Sequence, residues 1–122
     1  MPDIFEYKEP FQLESGSTLP GFHLAYTTLG VLNKAKNNVV WVFHALTANS
    51  DPSEWWPGLI GEGKIFNPEK HFIICVNMPG SCYGSISPLD KADFFHEFPF
   101  FTIKDMVAAY QKLKDYLRID NI

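Results

Sequence analysis

Val39-Val40-Trp41-Val42-Phe43-His44-Ala45-Leu46-Thr47-Ala48-Asn49-Ser50 begins with five apolar residues and passes without a break into small and polar ones. No polar residue alternates through Val39 to Phe43, so the run reads as a strand covered on both faces, the state of an inner strand in an α/β sheet. Phe72-Ile73-Ile74-Cys75-Val76 has the same character. Together they predict central parallel strands, with residues 44–71 between them long enough for a right-handed crossover. Within that crossover, Trp55-Trp56-Pro57-Gly58-Leu59-Ile60 carries a proline and a glycine, which predicts a short, irregular helix.

Towards the N-terminus, Phe5 to Leu13 mixes apolar and charged residues in near alternation and meets Glu14-Ser15-Gly16-Ser17, whose small polar residues suit a tight connection. The prediction is an antiparallel hairpin whose second arm runs from Phe22 to Thr28, closed by Gly30 and a polar turn over residues 33–38. Towards the C-terminus, Thr102 is placed to cap a helix ending near Arg118, with Asp105 close to the positive helix N-terminus. Ile103, Met106, Val107, Tyr110, Leu113 and Leu117 follow helical spacing and predict one buried stripe. A hairpin, two parallel strands and a helix make an unfinished α/β sheet. Asp120-Asn121-Ile122 reads as the approach to another strand, and a Val39–Phe43 strand without that neighbour would keep an unpaired edge. The expectation is a piece of a larger protein, or a chain completed by another.

Composition narrows the function classes. Of the 122 residues, 46% are hydrophobic and 16% aromatic, enough for a buried core, and the formal charge is -4. Lys and Arg are scattered, so nucleic acid and anionic membrane are not expected partners. Neither a leader-like N-terminus nor a long apolar run is evident, and the reading is a cytoplasmic protein. Cys75 and Cys82 suggest free thiols, and the histidines follow no metal-ligand spacing.

Chemistry in an open α/β sheet collects beyond the carboxyl ends of the strands. Two loops belong there: His44 to Ser50, and Asn77-Met78-Pro79-Gly80-Ser81-Cys82-Tyr83-Gly84-Ser85. They are expected to wall one pocket, with His44, Ala45, Thr47, Asn77, Gly80, Gly84 and Ser85 as candidate substrate-binding residues. His44 reads as a general base, as a loop-shaping hydrogen-bond donor or as a satisfied turn histidine; no acidic residue stands at a spacing diagnostic of a catalytic pair. The glycines either cradle a ligand or simply permit turns. Ser50, Ser81 and Ser85 lie in no GxSxG turn between strand and helix, which argues against a nucleophile among them.

Taken in order, His44-Ala45-Leu46-Thr47, Trp55-Trp56-Pro57-Gly58, the Asn77–Ser85 loop and Phe98-Pro99-Phe100-Phe101-Thr102-Ile103-Lys104-Asp105-Met106-Val107 resemble the homoserine O-acetyltransferases. Pro79 and Ile86 stand where glycine and threonine are commoner in that pattern. The resemblance implies the N-terminal portion of a single α/β-hydrolase domain over residues 1–122, stopping before the nucleophile elbow. It implies acetyl transfer from acetyl-CoA, a substrate and no bound cofactor, to L-homoserine in methionine biosynthesis, by a serine, histidine and aspartate all beyond Ile122. A homodimer is also implied. On this resemblance the backbone amide of Leu46 is one donor of the oxyanion hole. A serine hydrolase of the same fold and a non-enzymatic module completing a partner are the alternatives.

Overall fold

The computed structural model describes residues 1–122. The chain runs β1 (Asp3–Tyr7), β2 (Phe11–Gln12), β3 (Thr18–Leu19), β4 (Phe22–Leu29), β5 (Val39–Val42), α1 (Pro52–Trp55), β6 (Phe72–Val76), α2 (Phe94–Glu97) and α3 (Ile103–Tyr116). The two apolar runs pair as expected: β5 and β6 are parallel, with Val39 opposite Phe72 and Val42 opposite Cys75. Across β6 lies β4, antiparallel, and β1 pairs antiparallel with β4, giving the order β1-β4-β6-β5. Of the two predicted central strands only β6 is interior. β5 is paired on one side only, which matches the expectation of an open edge.

Alternation along β6 explains why its sequence has no polar face. Ile74 and Val76 enter the main core with Leu24, Tyr26, Ala109 and Leu113, whereas Ile73 and Cys75 enter a second cluster with Val42 and Ile60. Helix α3 and the β2–β3 ladder cover one face, and the Trp55–Phe66 crossover covers the other. Leu24, Ile73 and Ile74 are wholly buried, each stabilising the fold by about 1.5 to 3 kcal/mol relative to exposure. The crossover's only helix is the four-residue α1, capped by the Asp51 side chain, so it is as short as Pro57 and the glycines suggested.

The N-terminal hairpin differs from expectation. Phe5 to Leu13 does not form one arm, because Pro10 has no N–H to donate and interrupts the ladder. Two nested hairpins result: β1 pairs with β4, and β2 pairs with β3 across the Glu14–Ser17 connection. Strand β4 does stop at Gly30, whose φ is +81° and where a Cβ would lie 2.1 Å from the carbonyl oxygen of His71.

Helix α3 starts where Thr102 predicted. Thr102 Oγ1 accepts from the Asp105 N–H and the Asp105 carboxylate accepts from the Thr102 N–H, a reciprocal cap. Its apolar stripe is split: Tyr110 and Leu113 are buried with Ala109, but Ile103 and Val107 are exposed. Val107 lines a largely apolar groove with Trp41, Phe43 and Tyr110 beside the open edge of β5. Helical spacing identifies an apolar face; it does not say whether a neighbour covers all of it. No helix of the chain is long and apolar enough to cross a membrane.

Candidate active site

Both loops sit at the carboxyl ends of their strands, and the structure brings them together. Beyond β5, the Ala48 N–H donates to the carbonyl oxygen of Ala45 at 3.0 Å, closing a turn with Leu46 and Thr47 at its centre. Thr47 takes φ +70°, a conformation costly for a β-branched side chain, by about 1 to 3 kcal/mol. Leu46 projects outward at 94% exposure, and its N–H donates to no group of the chain.

His44 is buried and joins the two loops. Its Nδ1 lies 2.9 Å from the carbonyl oxygen of Ala45, and its Nε2 lies 3.0 Å from the backbone nitrogen of Met78. A carbonyl oxygen can only accept and an N–H can only donate, so the partners assign the proton to Nδ1 and leave Nε2 bare. The ring is neutral and both nitrogens are used. No carboxylate contacts it, so the arrangement is that of a loop-shaping histidine and lacks the acidic orienter of a general base.

The loop beyond β6 is held from within. The Asn77 amide donates from Nδ2 to Ser50 Oγ at 3.0 Å and to the Tyr83 carbonyl at 2.9 Å, and its backbone N–H donates to the Ala25 carbonyl at 2.8 Å. Ser85 donates its hydroxyl to the Asn77 carbonyl at 2.5 Å and accepts from the Ala25 N–H at 2.9 Å. Asn77 and Ser85 are each only 1% exposed, so these two candidate binding residues brace the loop against β4, and the Ser85 side chain has no face left for a substrate. Gly84 packs against β4: its φ is +106° and a Cβ there would lie 3.0 Å from Ala25 Cβ.

Between the loops is a cavity of about 380 Å³, lined by His44, Leu46, Thr47, Ala48, Met78 to Tyr83 and Met106 of α3. The lining holds no carboxylate or ammonium group. Of the sequence candidates His44, Thr47 and Gly80 line it with Leu46, while Ala45 is exposed in the turn outside it. Asn77 instead borders a separate polar cavity of about 310 Å³ with Ser50, Asp51 and Glu54, and Tyr83 stands between the two. Sequence reasoning missed Tyr83 and Met106; Tyr83 lay within the quoted loop, but Met106 was spoken for by the helix stripe. Burial pushes the Cys75 thiol up to about 12, which keeps it protonated and poorly nucleophilic near neutrality.

A hairpin-led sheet, a parallel pair joined by a crossover, and a strand-end loop presenting a free amide define the N-terminal part of an α/β-hydrolase fold. The chain resembles the N-terminal portion of the homoserine O-acetyltransferases: it is 46% identical over 125 residues to the enzyme of that name from Cyclobacterium marinum, across 98% of this chain and 36% of that protein. Among solved structures, the acetyl esterase MekB superposes with a TM-score of 0.85 at 29% identity, covering 99% of this chain and 35% of the esterase. Homoserine O-acetyltransferase from Staphylococcus aureus superposes at 0.81 and 26% identity, covering 100% of this chain and 37% of that one. The chain thus spans about a third of the length of the proteins it matches. No protein-family model matches it.

Proposed function

We propose that residues 1–122 form the opening part of one α/β-hydrolase domain in an acyltransferase that moves an acetyl group from acetyl-CoA to the hydroxyl of L-homoserine, in methionine biosynthesis. The observation that carries this reading is the exposed, unengaged Leu46 N–H beyond the carboxyl end of β5. A serine outside these residues attacks the thioester carbonyl, and the negative charge that develops on its oxygen is accepted by this amide and by a second one following the serine. A histidine and an aspartate, also outside residues 1–122, move and steer the proton. One oxyanion donor of this kind is worth about 2.7 to 4 kcal/mol of transition-state stabilisation. The open side of β5, flanked by exposed Phe43 and Val107, supports placing the remaining sheet there. Residues 1–122 alone therefore turn over no acetyl-CoA. On the same resemblance we read the whole protein as a cytoplasmic homodimer acting on small molecules.

The likeness to the acetyl esterase favours a second reading, in which water takes the acyl group in place of homoserine. Incubating the full-length protein with acetyl-CoA separates the two. The acetyltransferase reading expects CoA release that depends on L-homoserine and yields O-acetylhomoserine; acetate formed equally with and without homoserine would establish the hydrolase instead.

A further inference from the structure

The peptide unit that joins Ala45 to Leu46 contains both the carbonyl that His44 holds and the amide that faces outward. This unit is planar and trans, so its C=O and N–H point in opposite directions, and whatever fixes one fixes the other. Two donors hold the Ala45 oxygen: His44 Nδ1–H at 2.9 Å and the Ala48 N–H at 3.0 Å. The imidazole is itself held by the Met78 N–H at 3.0 Å, and through Met78 by the braced loop beyond β6. We propose that His44 is a positioning residue whose neutral Nδ1–H form aims the Leu46 N–H at the reacting carbonyl. This deepens the reading of the Leu46 amide as an oxyanion donor and rests on it.

Alternatives for the same side chain fit the geometry less well. A general base needs a free ring nitrogen turned to the substrate, and here both are committed to backbone groups 34 residues apart in one case and adjacent in the other. A mere filler of space would need no hydrogen bond at either nitrogen. The turn it controls has little else to direct it: Leu46 is 94% exposed, Thr47 sits at φ +70° against its own preference, and the one further tether is a long 3.5 Å bond from the exposed Tyr83 hydroxyl to the Thr47 carbonyl. Without the Nδ1–H, the Ala45–Leu46 peptide has a single donor left to oppose its rotation.

The side-chain chemistry supplies the test. Asparagine places an N–H near the Nδ1 position and can donate to the Ala45 oxygen; alanine cannot. In the full-length protein, His44→Ala is expected to lower kcat by about tenfold or more with KM for acetyl-CoA changed less than about twofold, since an aimed donor acts chiefly on the transition state. His44→Asn is expected to recover most of that loss. In the unmodified protein, nitrogen-15 NMR of His44 should show the Nδ1–H tautomer and a scalar coupling from the Met78 amide to Nε2. This signature is readable whether the acyl group goes to homoserine, to water or nowhere, so it separates failure of this inference from failure of the functional reading. An Nε2–H tautomer, or a His44→Ala variant with unchanged kcat, overturns the proposal.

Discussion

The loops at the ends of β5 and β6 occupy equivalent places on adjacent parallel strands, yet they are held in opposite ways. The Asn77–Ser85 loop is tied to β4 at Ala25, whose N–H donates to the buried Ser85 hydroxyl and whose carbonyl accepts from the Asn77 N–H. The His44–Ser50 loop is fastened at its far end, where Ser50 bonds Thr27 and Asn77 and the Asn49 carbonyl accepts from Trp55. Its exposed tip is tied mainly through the His44 imidazole, which accepts from the Met78 N–H of the other loop. On the proposed reading the Leu46 N–H stays free of the fold, so the turn that carries it borrows order from its neighbour. The loop braced on β4 is thus the reference, and the turn beyond β5 the presenter.

If the Asn77 loop is the reference, removing its hub should cost most. Asn77→Ala leaves the Tyr83 carbonyl and Ser50 hydroxyl without their buried donor, and is expected to destabilise the protein by about 2 to 3 kcal/mol in urea unfolding with an unchanged slope. A much smaller loss would remove the contrast between the loops. The cavity's third wall, Met106, depends on the start of α3, where Asp105 provides a pH handle. Burial pushes the Asp105 carboxyl up, but the N–H groups of Thr102 and Glu14 that donate to it more than offset this and hold it below its ordinary value. Its stabilisation is therefore complete above the unfolded carboxylate value of about 3.9 and fades as pH falls through the lower folded one. Asp105→Asn should weaken the protein at pH 7 by about 2 kcal/mol and leave it with a shallower acid-unfolding profile.

His44→Ala, which cuts the presenter from its reference, should cost about 1 to 2 kcal/mol, less than Asn77→Ala although both side chains are buried. Leu46→Ala is expected to fall within about 0.5 kcal/mol of the parent protein, because the side chain lies in solvent and the functional group is backbone. Equal losses for these two substitutions would show that the turn is stabilised by the Leu46 side chain after all.

Much of the architecture was legible because its signals are local. Continuous apolar runs identified β5 and β6, Thr102 and Asp105 marked the start of α3, and Pro57 foretold a minimal α1. The errors share a cause, since each depends on what lies across space. Pro10 broke an arm that alternation had joined, and Ile103 and Val107 carried helical spacing yet found no partner to bury them. In the site, the sequence pointed to both loops and to Leu46, the latter through the family resemblance. It could not tell Asn77 and Ser85, turned inward to brace, from Thr47 and Gly80, which face the cavity, because residue type is the same for a polar group that binds a ligand and one that binds β4. Nor could it reveal that the Met78 N–H, which carries no side-chain signature, is what holds His44.

In the proposed reaction the Leu46 backbone N–H, and not its side chain, is the working group. In the Ala45–Ala48 turn Leu46 precedes a residue of positive φ, the position where proline is favoured, so Leu46→Pro removes the N–H while suiting the turn. The most direct measurement is acetyl-CoA turnover by full-length Leu46→Pro and Leu46→Ala, with circular dichroism confirming that both are folded. Near-parental kcat is expected for Leu46→Ala and a loss of about 10²- to 10³-fold for Leu46→Pro; a folded Leu46→Pro protein that turns over as fast as Leu46→Ala would rule out the Leu46 N–H as an oxyanion donor.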